Sequence, residues 1–196
     1  MLSLYVTHPE VVIDPALPST EWRLSPDGRA RAQVFAARSV LPKGARIISS
    51  TERKTMETAT ILSGGEPFAS DDLLRENERS ATGYVGPERF EALFDAMFAH
   101  PGESSGGWET AIDTQRRVVA AVEAAFVNQS LTTIFVGHGS AGTFLKCAVA
   151  GRPISRSEEQ RGMAWPGGGN VFAFDGSART LIRDWQSFED FTPVSS

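Results

Sequence analysis

The chain has 196 residues, of which 41% are hydrophobic and 22% charged, a composition that excludes a disordered chain and suits one globular domain. No apolar stretch approaches the roughly 20 residues of a membrane-spanning helix, and a formal net charge of −5 argues against a nucleic-acid-binding surface. The single cysteine, Cys147, excludes an intramolecular disulfide and favours a reducing, cytoplasmic location.

The order of apolar runs and helical patterns predicts an α/β fold. In chain order, the expected strands are 2–6, 45–49, 131–136, 171–174 and 180–183. The first expected helix begins at Ser25-Pro26, with Ala30, Val34, Ala37 and Leu41 on one stripe, and the later helices are 51–62, 87–99, 108–126 and 140–149. This alternation predicts a three-layer sandwich, with a mostly parallel central sheet and helices on both faces.

We expect a single domain over residues 1–196. Within it, residues 71–106 are less regular than the rest and contain many Gly, Ser and charged residues. This segment is predicted to be an insertion over the functional edge of the sheet, where such insertions often contact the substrate.

Two of the three histidines follow apolar strands directly. His8 comes after the first strand, and His138 comes after the strand that leads into Val136-Gly137. Ligands bind at the carboxyl ends of the strands in open parallel sheets, so the two imidazoles are expected to face one crevice. His100 lies at a predicted helix end, where it complements the helix dipole, and receives no role.

The neighbours of these histidines favour phosphoryl transfer over a metal site. Neither histidine has another ligand at the spacing that zinc sites use. By contrast, Arg53 and Lys54 lie near the start of a helix, where cations oppose the helix dipole unless an anion is held there. Gly139 and Ser140 open another helix, whose backbone amides can cradle phosphate. A solvated Arg-Lys pair on the surface is the alternative interpretation of the first of these helix starts.

These segments resemble the histidine phosphatase superfamily, which has the phosphoglycerate-mutase-like fold. Residues 4–10 are similar to the strand-RHGE opening of the family, and residues 24–32 to its LTxxGxxQA helix start. Residues 50–59 are similar to its SxxxRAxxTA segment, 74–76 to the LxE that supplies a proton donor, and 136–139 to its VSHG. Residues 108–118 also resemble a helix that opens with GES in many members. The order and spacing of the segments carry the resemblance.

The chain departs from the family pattern at both phosphate-binding arginines. Thr7 stands at the arginine of RHG and Pro9 at its glycine, while Lys54 occupies the second arginine position. Lysine keeps the charge but lacks the planar fork that holds two phosphate oxygens. We therefore expect weaker phosphate binding, unless Arg53 or Arg79 reaches the pocket.

The resemblance implies a mechanism without a metal or other cofactor. His8 attacks phosphorus, Glu76 protonates the leaving alkoxide, and water then hydrolyses the phosphohistidine. His138 and Lys54 stabilise the phosphoryl oxygens, with Thr7, Arg53, Gly139 and Ser140 as further phosphate-binding candidates. Glu78 is the rival acid. Burial or the phosphate dianion is expected to raise the pKa of Glu76 above that of a free Glu.

The implied function is a phosphatase that acts on a small phosphomonoester or on phosphohistidine. Hydrolysis is favoured over a mutase reaction, because the lost arginines would hold a carboxylated bisphosphate. The altered Thr7-His8-Pro9 segment supports a second possibility, a weakly active or inactive domain that binds a phosphorylated ligand or a protein. A third possibility is a metal-dependent hydrolase on an unrelated sheet.

Overall fold

The computed structural model describes residues 1–127 and 131–194, and in this part of the chain six strands form one sheet. The strands are β1 (Leu2–Thr7), β2 (Arg46–Ser49), β3 (Ala69–Ser70), β4 (Thr133–Gly137), β5 (Asn170–Asp175) and β6 (Thr180–Ser187). Their order in the sheet is β3-β2-β4-β1-β5-β6. The first four in this order pair in parallel, whereas β5 and β6 pair antiparallel. The expected mostly parallel sheet is confirmed, and 128–130 and 195–196 of the expected domain lie outside the described residues.

Helices cover both faces of the sheet, as the alternation predicted. They are α1 (Pro26–Ala37), α2 (Arg53–Leu62), α3 (Pro87–Ala99), α4 (Ala111–Ala125), α5 (Gly139–Ala150) and the short α6 (Gln160–Met163). Single 3-10 turns occupy Ser19–Glu21, Asp72–Leu74 and Arg156–Glu158. Helices α1 and α2 pack on one face and α4 and α5 on the other. Successive residues of β1 and β4 enter opposite cores, because side chains alternate along a strand.

The buried face of α1 differs from the predicted stripe. Ser25 caps the helix as expected, since its hydroxyl accepts a hydrogen bond from the Gly28 amide. However, Val34 is 64% exposed, and the helix instead buries Gly28, Ala32 and Phe35. Phe35 stacks on Phe188 with the ring centroids 4.2 Å apart. A C-terminal segment of the chain, which local periodicity does not include, thus determines which face is buried.

Segment 71–106 contains α3, which has the bounds of the predicted helix 87–99. Phe94 on this helix packs with Trp108 and with Phe144 of α5 in a third apolar cluster, outside the two that flank the sheet. The residues before α3 run past the N-terminus of α5. No helix among residues 1–127 and 131–194 has both the length and the apolar character needed to cross a membrane.

The pairing of β1 with β4 brings the two histidines together. Thr7 lies opposite Gly137 in the parallel register, and the backbone amide of His8 donates to the carbonyl of Gly137 over 3.0 Å. The hydroxyl of Tyr5 accepts a hydrogen bond of 3.0 Å from the His138 amide. A Cβ at Gly137 would lie 2.1 Å from this hydroxyl oxygen, so this glycine permits a packing contact of Tyr5.

Gly28 provides a test of the packing below α1. A Cβ at this position would lie 2.2 Å from the carbonyl oxygen of Glu10, and that carbonyl is held by the Ser25 amide. Because backbone rather than a flexible side chain is in the way, Gly28→Ala should lower the free energy of unfolding by about 1–3 kcal/mol or more. Urea denaturation measures this change. Gly162→Ala, which meets no atom within 4 Å, is the control, and equal stabilities of the two variants would contradict the packing argument.

Candidate active site

The imidazoles of His8 and His138 face each other at the carboxyl ends of β1 and β4. Their ring centroids are 5.3 Å apart, with an angle of 71° between the planes. His138 is fully buried, whereas His8 is partly accessible. The two imidazoles therefore lie side by side, as predicted, and His8 is the more accessible of the two.

The orientation of the His8 ring leaves one nitrogen free to react. Nδ1 lies 2.8 Å from the carbonyl oxygen of Pro9, and because a carbonyl can only accept, this nitrogen carries the proton. Burial, together with the ammonium of Lys54, lowers the pKa of His8 to about 4. At neutral pH the ring is thus uncharged, and Nε2 keeps its lone pair. These are the properties that a nucleophilic histidine needs.

His138 contacts a serine and a carboxylate through one nitrogen. Its Nε2 lies 3.0 Å from Oγ of Ser50 and 3.4 Å from Oε1 of Glu52. Its Nδ1 is buried and has no hydrogen-bond partner within the described residues. Burial and then Lys54 lower the pKa of His138 well below 6.5. A bound anion would supply the partner that Nδ1 lacks, and Glu52 would stabilise the imidazolium that results.

Lys54 is near the histidines, and its neighbour Arg53 is not. The side chain of Lys54 is 6% exposed, forms an ion pair with Glu52, and donates over 2.8 Å to the carbonyl of Ser19. Arg53 is 49% exposed and pairs with Glu57 one turn further along α2. Adjacent positions on a helix point about 100° apart, which explains why only one of the two cations turns inward. Arg53 is therefore left out of the proposed site.

Glu76 lies at the N-terminus of α5, where the helix dipole favours its negative charge. Its carboxylate accepts hydrogen bonds from the amides of Ser140 at 3.3 Å and Ala141 at 3.0 Å. The amides expected to cradle phosphate thus bind a carboxylate of the protein itself. Burial raises the pKa of Glu76, but Arg79, His138 and the Asn77 amide outweigh it, and the pKa is lowered. Burial alone therefore does not raise the pKa of this carboxyl above that of a free Glu, and the expected effect of a phosphate dianion stays a prediction.

Arg79 provides a second, partly buried cation near the site. Its Nη2 donates over 2.7 Å to Oγ of Ser140 and lies 3.8 Å from the carboxylate of Glu76. The guanidinium also lies over the rings of Phe90 and Trp108, at 5.2 and 5.0 Å from their centroids. This stacking fixes the cation in place. Of the two arginines considered as replacements for the missing ones, only Arg79 reaches the start of α5.

Thr7 is fully buried and does not offer its hydroxyl to the crevice. The hydroxyl accepts from the Asn170 amide at 3.0 Å and donates to Oε1 of Gln160 at 2.9 Å. Its hydrogen is thereby used, so direct phosphate binding by Thr7 has no support in this geometry. Gly139, another phosphate-binding candidate, has no side chain and lies beside the side-chain amide of Gln160.

Sequence reasoning did not assign a role to Glu52, Ser50, Gln160 or Asn170. Glu52 and Ser50 lie in the segment that resembles SxxxRAxxTA, so an inspection of the residues near Lys54 could have identified them. Gln160 and Asn170 lie more than 150 residues from Thr7 along the chain. No local pattern marks them. Within the described ranges, no group of three or more His, Cys, Asp or Glu side chains is arranged to hold a metal ion.

The fold and the facing histidines define a histidine phosphatase-like protein, and a family comparison agrees. The model of the histidine phosphatase superfamily (branch 1) matches residues 17–182. The chain belongs to this superfamily. The matched range begins after Thr7-His8-Pro9, so it does not include the altered motif. A search of curated protein sequences finds no significant match.

Solved structures with this fold cover nearly the whole chain. YhfR of Bacillus stearothermophilus has a TM-score of 0.72 at 20% identity, covering 93% of this chain and 94% of its own. The mycobacterial glucosyl-3-phosphoglycerate phosphatase has a TM-score of 0.69 at 18% identity, with 99% of each chain covered. A Thermus thermophilus protein, TTHB049, has a TM-score of 0.65 at 23% identity, covering 94% of this chain and 99% of its own. At these identities the likeness shows the fold.

The lowered pKa of His8 gives a prediction for stability against pH. A pKa near 4 in the folded protein and near 6.5 in the unfolded chain means that folding favours the neutral ring. The stabilising contribution is present above pH 6.5 and is lost as the pH falls towards 4, at up to about 1.4 kcal/mol per pH unit. In urea denaturation between pH 7 and 5, the wild-type protein should therefore lose stability more steeply than His8→Asn. Parallel pH dependences of the two proteins would contradict the lowered pKa.

Proposed function

We propose that the protein hydrolyses small phosphomonoesters through a phosphohistidine formed at His8, without a metal ion. The observation that carries this proposal is the ring of His8. It has a proton fixed on Nδ1 by Pro9 and a free lone pair on Nε2, and it faces His138 across the crevice. Membership of the histidine phosphatase superfamily supports the same chemistry. One structural neighbour is named as a phosphatase of a sugar-linked phosphoglycerate, which supports an ester of a small organic alcohol as the substrate class.

In the first step, the Nε2 lone pair of His8 forms a bond to phosphorus as the bond from phosphorus to the alcohol oxygen breaks. The proton of the Glu76 carboxyl goes to this leaving oxygen. In the second step, a water oxygen attacks phosphorus, the electron pair of the N–P bond returns to Nε2, and Glu76 takes a proton from the water. The products are the alcohol and inorganic phosphate. His138, Lys54 and Arg79 stabilise the charge of the phosphoryl oxygens.

Charge balance explains how Glu76 acquires its proton. The ammonium and guanidinium of Lys54 and Arg79 face the carboxylates of Glu52 and Glu76. A phosphate dianion near Glu76 raises the pKa of its carboxyl, because a like charge disfavours the ionised form. Binding of the substrate thus moves Glu76 towards the protonated form that a general acid requires.

Covalent labelling of His8 tests the proposed function directly. The wild-type protein should turn over p-nitrophenyl phosphate and, after rapid quenching in alkali, show one phosphoryl group on His8 by mass spectrometry. His8→Asn should lose both signals. His100→Asn changes an exposed histidine at the end of α3 and should keep them. If the wild-type protein binds phosphate but neither turns over p-nitrophenyl phosphate nor carries a phosphoryl group on His8, the proposed hydrolysis is wrong and the protein is a phosphate-binding domain.

The role of Glu76 is tested with two leaving groups. Glu76→Gln keeps an acceptor for the α5 amides but has no acidic proton. Hydrolysis of an alkyl phosphate should fall by about 10²–10⁴, while p-nitrophenyl phosphate, whose leaving group needs little protonation, should lose much less. Glu78→Gln is the matched control, because Glu78 is exposed and its carboxylate accepts from the Ser80 amide. Equal losses on both substrates would exclude Glu76 as the acid.

A further inference from the structure

Three uncharged polar side chains are buried together behind the first histidine. Thr7 precedes His8, Asn170 begins β5, and Gln160 begins α6. The first two are fully buried, and Gln160 is 7% exposed. Thr7 occupies the position where the family resemblance expects an arginine. An uncharged, hydrogen-bonded cluster therefore surrounds the position at which the resemblance expects an arginine.

A backbone amide fixes the orientation of the Asn170 and Gln160 side-chain amides in this cluster. The amide of Trp165 donates to Oδ1 of Asn170 over 3.0 Å, so Nδ2 of Asn170 is the donor that reaches Oε1 of Gln160 at 2.8 Å. The amide of Asn170 donates to the Thr7 hydroxyl, which in turn donates to the same Oε1. Since a peptide N–H can only donate, a flipped Gln160 amide would place its NH₂ group against Nδ2 of Asn170 and lose that hydrogen bond.

The opposite end of the Gln160 amide is available to a ligand. Within the described residues, Nε2 donates no hydrogen bond, and Gln160 as a whole is 7% exposed. A Cβ added at Gly139 would lie 2.5 Å from Nε2. Gly139 follows His138, and the residue that orients Oε1 precedes His8. The free N–H groups thus lie between the strand ends that carry the two histidines.

We infer that the side-chain amide of Gln160 donates a hydrogen bond to a phosphoryl oxygen bound between His8 and His138. This role rests on the proposed function and extends it. The amide replaces part of what an arginine at position 7 would do, as a neutral donor held in place before the ligand arrives. Thr7 and Asn170 act as positioning residues for it. Donors held in this way stabilise oxyanions without reorganisation when the charge develops.

Two substitutions separate the donor from the rest of the cluster. Gln160→Glu keeps an oxygen for Thr7 and Asn170 and replaces the N–H donor by a second oxygen, whereas Gln160→Met removes both functions. The affinity for inorganic phosphate at pH 7, measured by calorimetry, should fall about tenfold in Gln160→Met and further in Gln160→Glu. The kcat/KM for p-nitrophenyl phosphate should fall by about 10²–10³, as for other oxyanion donors. Gln33→Glu makes the same change on the exposed side of α1 and should match the wild type.

The pH dependence of phosphate binding by Gln160→Glu tests the donor role within a single folded variant. Its affinity relative to the wild type should recover as the pH is lowered from 7 to 5, because a protonated carboxyl can again donate. Wild-type phosphate affinity in both Gln160 variants, with His8 still phosphorylated, would overturn the role of Gln160 and leave the proposed function intact. A wild-type protein that neither binds phosphate nor forms the label would overturn both.

Discussion

The buried carboxylate of Glu52 connects the separate parts of the site. One oxygen accepts from the Glu76 amide at 2.9 Å and lies 3.4 Å from the ring of His138. The other pairs with Lys54, whose ammonium also binds the carbonyl of Ser19. Both partners of this ion pair are about 6% exposed. Two buried charges are tolerable only when each is paired and further hydrogen-bonded, and the contacts that meet this condition fix the positions of four chain segments.

The low solvent access that forces the buried charges to pair also explains why the two histidines among them are uncharged. Desolvation is the largest influence on both imidazoles, and the nearby ammonium of Lys54 adds to it. Carboxylates near the site partly oppose this effect. The proposed nucleophile is thus kept neutral by its surroundings, while the proposed acid, Glu76, is ionised by its own. A phosphate dianion that enters the site shifts the protonation equilibria of both His8 and Glu76.

Sequence patterns predicted the parts of the structure that depend on short stretches of chain. The strand ends at His8 and His138 and the cap at Ser25 follow from local periodicity and spacing. The assignment of Lys54 to the second arginine position follows from the family resemblance. The errors arise where distant segments decide. The buried face of α1 depends on Phe188, and β3 spans two residues only, too few to show a pattern. The partner of Thr7 is Gln160, which lies on a helix of four residues. Local sequence carries no information about such a contact.

The proline that follows His8 has a consequence for conformational entropy. A proline ring holds its own φ near −65° and restricts the preceding residue to extended conformations. Pro9 therefore limits the backbone of His8 in the unfolded chain as well as in the native state, where His8 directly follows β1 and the Pro9 carbonyl holds Nδ1. Less freedom is lost on folding than with glycine at this position. The proposed nucleophile thus presents its imidazole on a stiffer stretch of backbone than a His-Gly segment would.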